Sequence, residues 1–158
     1  MPIKSEYLNY FLWEGFCRFI KIILNYYMKI LFQTEKLLLI SEYEIAKLID
    51  RLNGTVLLEE YFYGDPMCGL ISIDNSWAII AGIHLIIWTS KETKIIEDDN
   101  LKWIHSIRYK TDLIVEILID PWSESSAIWE LNTNTFDYIK IKDFDNYKNQ
   151  MYTDFVVW

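Results

Sequence analysis

The sequence predicts an α+β domain in which sheet dominates: one amphipathic helix at about residues 42–52, then an antiparallel meander of about seven strands, with an apolar N-terminal segment of helical spacing ahead of them. Three observations predict it. Between Tyr7 and Phe32 the polar residues recur three and four apart. Ser41 followed by Glu44 opens a second helical pattern, and from Thr55 onward the period becomes that of extended chain. The 158 residues are 52% hydrophobic, which supplies one core, so residues 28–158 read as a single domain. Five Gly and three Pro exclude a low-complexity or disordered chain.

In the N-terminal segment Glu14, Arg18, Lys21, Asn25 and Lys29 form a narrow polar stripe on an otherwise apolar helix, about 39 Å long at 1.5 Å per residue. Glu14 interrupts the apolar run and no small-residue cleavage site follows, so it is not a signal peptide. Two readings remain. Arg18, Lys21 and Lys29 suit a helix lying in a membrane interface. Alternatively, Met28-Lys29-Ile30-Leu31-Phe32 reads as the start of a small bacterial protein opening directly into a strand, with residues 1–27 an upstream extension.

Lys36–Ile40 is an apolar run suited to a buried strand. In the predicted helix, Ile45, Leu48, Ile49 and Leu52 fall at i, i+3, i+4 and i+7 behind the Ser41/Glu44 cap, and Asn53-Gly54 stops it. Then Thr55–Tyr63, Leu70–Ile73, Trp77–Ala81 and His84–Thr89 read as strands, the middle pair a hairpin around Asp74-Asn75-Ser76. Ser90–Asn100 reads as a charged loop. Leu101–Tyr109, Leu113–Ile119, Ala127–Leu131 and Phe136–Lys142 follow as strands, and Phe155–Trp158 is compatible with an edge strand. Asp65-Pro66 and Asp120-Pro121 form a faint internal echo that turn chemistry explains better than duplication.

With 23 acidic against 15 basic residues the formal net charge is −8, the wrong sign for a nucleic-acid backbone. Cys17 and Cys68 could make at most one disulfide, the thiol usage of a reducing cytoplasm. The longest uncharged run, Asn75–Ser90, is too short to span a bilayer. The only histidines, His84 and His105, stand in apolar strands without metal-ligand spacing, and no cofactor or catalytic motif is present. Nothing in its surroundings lowers the pKa of Cys68, so it reads as a small core residue beside a turn. Trp77, Trp88 and Trp103 read as core. Trp122, in the polar loop Asp120-Pro121-Trp122-Ser123-Glu124, and Trp129 read as candidates for contact with a partner.

Tyr63-Gly64-Asp65-Pro66 through Gly69-Leu70-Ile71, then Trp77-Ala78-Ile79-Ile80-Ala81-Gly82, resembles segments of small acidic, sheet-rich bacterial proteins, among them immunity proteins of polymorphic-toxin and contact-dependent inhibition systems. The resemblance implies a cytoplasmic protein, not an enzyme, that neutralises a cognate toxin by tight binding. The acidic composition agrees, since clustered carboxylates steer a basic partner. The partner surface is then expected at Glu97, Asp98, Asp99, Asp120, Trp122 and Glu124. Two alternatives stand beside it: a small hydrolase using Cys68 or a histidine with a carboxylate, and a membrane-surface protein anchored through residues 7–32.

Overall fold

The computed structural model describes residues 28–158. Runs of β-branched, aliphatic and aromatic residues, broken every few positions by Asx, Thr or Gly turns, form twelve strands there. They comprise β1 (Met28–Gln33), β2 (Leu37–Glu42), β3 (Ile45–Asp50) and β4 (Val56–Tyr61), then β5 (Cys68–Ile71), β6 (Trp77–Ala81), β7 (Leu85–Thr89) and β8 (Thr93–Ile96). The series ends with β9 (Ile104–Tyr109), β10 (Ile114–Ile119), β11 (Ala127–Asn132) and β12 (Tyr138–Asp143). Each successive set of four is an antiparallel sheet in plain chain order. The first strands, β1, β5 and β9, lie nearest one another across the sheets.

Two cores separate the three sheets. Strand alternation sends Trp77, Ile79 and Ala81 of β6 toward sheet three, where they meet Val115, Ile117 and Ile119 of β10. The intervening Ala78 and Ile80 face sheet one, against Leu39, Leu48 and Phe62. The middle sheet is therefore apolar on both faces, which accounts for its uninterrupted run of buried residues. Sheets one and two approach closely at Gly69: a Cβ there would stand 2.3 Å from Leu39 Cδ2 and 3.1 Å from Leu31 Cβ. The far face of sheet three is covered by the C-terminal segment. Phe144, Tyr147, Val156 and Trp158 pack on Leu118 and Ile128, with the Arg108 guanidinium 3.9 Å from the Trp158 ring centre.

The structure overturns the α+β prediction: among the described residues the only helical element is a single 3₁₀ turn, Asp99–Leu101. The segment expected as an amphipathic helix at 42–52 is a hairpin plus strand β3. Ile45, Lys47 and Ile49 alternate with Ala46 and Leu48, so the same residues satisfy a period of two as well as 3.6, and burial between two sheets selects the strand. Ser41 pairs with Ala46 rather than capping a helix, and Glu44 accepts hydrogen bonds from Gly64 N–H and the Tyr61 hydroxyl. Gly54 does take a left-handed φ of +74°, but it closes the β3–β4 connection. Residues 28–32 of the expected N-terminal helix lie in β1; its remainder, residues 1–27, lies outside the described residues. Strand β8 stands where a charged loop was expected, and Phe155–Trp158 makes no strand. Asp65-Pro66 precedes a sheet while Asp120-Pro121 lies within one, so the sequence echo is not the structural repeat.

Candidate functional site

The stacked sheets share two ends. Cross-sheet bonds define both: Lys29 Nζ donates to Met67 O (2.9 Å) and Ile104 N to Gly82 O (2.8 Å) at one, while Thr34 Oγ1 donates to Asn75 Oδ1 (2.5 Å) at the other. The second end, called here the turn end, holds the β1–β2, β3–β4, β5–β6, β7–β8, β9–β10 and β11–β12 reversals. The first, the loop end, holds the β2–β3, β6–β7 and β10–β11 reversals together with the crossings between sheets.

The loop end carries exposed aromatics: Tyr43, Tyr61, Tyr63, Trp103 and Tyr152. Trp103, expected in the core, is 64% exposed. Its backbone explains this. Ile104 is the first residue of β9 and is fully buried, and Trp103 precedes it with φ +59°, a left-handed conformation uncommon for a bulky residue. The Trp103 carbonyl accepts from Asp120 N–H at 2.9 Å, and that bond ties the crossing to the β10–β11 turn.

Beside Trp103 opens a cavity of about 490 Å³, walled by His105, Asp120, Trp122 and Tyr152 with Met67 at its edge. Trp122 is half-buried and held by rings: Tyr152 at 4.8 Å between centroids, His105 edge-on at 5.6 Å and Tyr147 at 5.9 Å. Its indole N–H is buried without an acceptor among the described residues, so no hydrogen bond of the ring places it. Asp120 Oδ1 accepts from Trp122 N–H at 3.1 Å, fixing the carboxylate in the wall. Burial pushes the His105 pKa down, against the smaller opposing pull of Asp120, so the imidazole is neutral at physiological pH.

A second cavity of about 410 Å³ lies at the same end, between Tyr63, Ile83, His84, Glu97, Asp99 and Lys102. His84 stacks on Phe62 at 4.2 Å, and its pKa is lowered by burial against the opposing fields of Glu97 and Glu60. Asp99 and Lys102 form an exposed ion pair at 2.5 Å.

The expected partner residues thus fall into different settings. Asp120 and Trp122 share the first cavity, and Glu97 and Asp99 the second. Asp98 is occupied structurally, accepting from the Tyr138 hydroxyl (2.6 Å) and from Asn100 N–H (2.8 Å), which together lower its pKa. Glu124 stands 3.7 Å from Lys148. Trp129 is half-buried against Tyr138 and lines neither cavity. Sequence reasoning missed Trp103 and Tyr152. Nothing local marks either, since the first is exposed by one backbone angle and the second is brought in by the C-terminal segment. Burial raises the Cys68 thiol to about 12, so it is protonated at neutral pH and the hydrolase reading gains nothing from it. Among the described residues no three His, Cys, Asp or Glu are grouped to hold a metal ion, and no helix is long and apolar enough to cross a membrane.

No family model and no curated protein matches the chain. Among solved structures it is similar to Kuenenia stuttgartiensis hydrazine synthase, at 16% identity and a TM-score of 0.52, covering 68% of this chain and 32% of that one. It is also similar to the WD40 β-propeller domain of Doa1, at 9% identity and a TM-score of 0.52, covering 72% of this chain and 38% of that one. The chain thus spans about a third of the length of each. At these identities the likeness is one of fold alone. Consecutive four-stranded meanders, stacked face to face with their first strands innermost, are the blade arrangement of a β-propeller.

Proposed function

We propose that this protein is a binding module, not an enzyme, that works in the cytoplasm and neutralises a basic protein partner, in the class that the immunity-protein resemblance implies a cognate toxin. One observation carries the reading: exposed aromatics and carboxylates are concentrated together at the loop end, on a chain of net charge −8. Such a surface combines anchors that desolvate on contact with a field that steers a cationic partner. The rigid sheets beneath hold it in place without rearrangement, which limits the ordering cost of association. The partner surface is assigned to Trp103, Asp120, Trp122 and Tyr152 around the first cavity and to Glu97 at the second. Asp98, Asp99 and Glu124, whose oxygens already serve Tyr138, Lys102 and Lys148, contribute field rather than contact.

The test is binding of the purified protein to the basic protein encoded beside it, followed by stopped-flow association at several salt concentrations. Replacing Glu97 and Asp99 by Lys should slow association about tenfold at low salt and flatten its salt dependence. Unchanged association from low to high salt would sink the electrostatic part of the reading. If the neighbouring protein does not bind and its toxicity is not relieved in cells, the immunity reading fails.

A further inference from the structure

The first cavity has the composition of a receptor for one particular kind of side chain. Its walls are aromatic, from Trp103, Trp122 and Tyr152, with the Asp120 carboxylate among them. Aromatic faces attract cations through their quadrupole, most strongly where water is partly excluded, and a fixed carboxylate adds a charged hydrogen-bond acceptor. Among the described residues no cation forms an ion pair with that carboxylate: Lys102 is taken up by Asp99, and Lys148 by Asp145 and Glu124. His105 contributes a neutral ring, and Lys29, which reaches this end, is engaged by the Met67 carbonyl at 2.9 Å. The volume of about 490 Å³ lies within the ~300–1,000 Å³ common for small-ligand sites. Trp103 supplies an independent observation. An indole 64% exposed on a left-handed backbone at the rim gains little packing to offset its strain, and strain of that kind collects where a surface serves a ligand.

We propose that this cavity receives an arginine side chain of the partner, its guanidinium lying against the Trp103 and Trp122 rings and donating to the Asp120 carboxylate. Arginine is favoured over lysine because the planar guanidinium stacks on rings and is weakly hydrated, whereas a compact ammonium holds its water. The assignment rests on the binding-module reading and names the group that this site would recognise.

The probes are three blocked tripeptides, acetyl-Gly-X-Gly-amide with X arginine, lysine or citrulline, titrated into the full chain while the tryptophan indole N–H resonances are followed. Citrulline keeps the shape of arginine without its charge. The expected result is saturable movement of the Trp103 and Trp122 signals with arginine, at least fivefold weaker affinity for lysine and none measurable for citrulline. Asp120→Asn and Trp103→Ala should each weaken arginine binding at least tenfold with unchanged melting temperature, while Glu92→Gln, at the turn end, should leave it unaltered. Equal response to arginine and citrulline, equal loss in Glu92→Gln, or no movement of either indole overturns the proposal. The two readings fail separately. A basic protein that binds wild type and Trp103→Ala alike keeps the partner and removes the pocket; arginine binding by a chain that takes up no basic protein keeps the pocket and removes the partner.

Discussion

The two ends of the stacked sheets are built on different chemistry. At the turn end every reversal is closed by a local side-chain acceptor. Thr34, Thr89 and Thr111 hydroxyls take the N–H of Leu37, Glu92 and Ile114, while Asp50, Asp74 and Asn132 take those of Leu52, Ser76 and Asn134, all within 3.1 Å. At the loop end Asp98 and Asp120 make similar bonds, but the geometry depends mainly on distant partners: Lys29 on Met67, Ile104 on Gly82, and Trp122 on Tyr152. The exposed apolar groups differ too, aliphatic at one end (Leu52, Ile73, Leu113) and aromatic at the other. A turn that satisfies its own amides needs nothing further. Left-handed aromatics occur at both ends, but Phe136 at the turn end packs on the core, whereas Tyr43 and Trp103 at the loop end are exposed, and a surface so held is costly to maintain without a use.

That contrast can be broken by substitution. The largest effect is expected for Trp122→Ala, which removes the ring that joins His105, Tyr147 and Tyr152 and should cost about 3 kcal/mol. A chemical-denaturation midpoint equal to wild type would show that the loop end is not held by aromatic packing. Gly69→Ala lies between the ends, where the inner strands meet. The new methyl must displace Leu39, itself fully buried, so a loss of about 2 kcal/mol is expected in the same assay. Thr111→Val removes one local acceptor and should cost about 1 kcal/mol, confined to the turn end by amide exchange. Protection lost at the loop end instead would reverse the comparison.

Acid should separate the two ends as well. His84 and His105, both at the loop end, have folded pKa values pushed below the usual 6.5 by burial. For such a group the unfolded chain binds the proton first. Its stabilisation is complete above 6.5 and is lost as pH falls toward the folded value. Asp74, at the turn end, is lowered from 3.8 by its Ser76 hydrogen bonds, so its contribution is lost only in stronger acid. Between pH 7 and 5, amide protection should therefore decline around Gly82–Leu85 and Ile104–His105 before it declines around Ser72–Trp77. A uniform decline would contradict this. The smallest effect belongs to Trp103→Gly. Glycine adopts the +59° backbone without strain and the indole packs little, so melting should be unchanged or slightly higher.

Much of the sheet structure is legible in local sequence. Trp77–Ala81 is a strand of those residues, and the strands at 85–89, 114–119 and 127–132 begin or end within a residue of the sequence expectation, because β-branched runs between Asx and Thr turns leave few alternatives. Two regions are ambiguous in local sequence. Ile45–Ile49 fits both periods, and Thr93–Ile96 hides a strand inside a charged run because only Ile96 of its four residues is buried. At the site, Asp120 and Trp122 were legible as a polar loop with a central aromatic, whereas Trp103 looked like core because its neighbour Ile104 is core.

By itself the sequence determined what neighbours along the chain decide: the turn chemistry at Asp74 or Thr111, the alternation that sends Ile79 and Ile80 to opposite faces, and the acidic balance. The tertiary structure alone decided which faces meet. Ile45–Ile49 became a strand because sheet two offered Ile80 and Ile86 to bury against. The cavity exists because sheet stacking carries Met67, Trp103, Trp122 and Tyr152 to one place. Local periodicity reports only which side of a strand is apolar. The identity of the opposing surface is a property of contacts between residues far apart in the chain, and those contacts form only when the sheets pack.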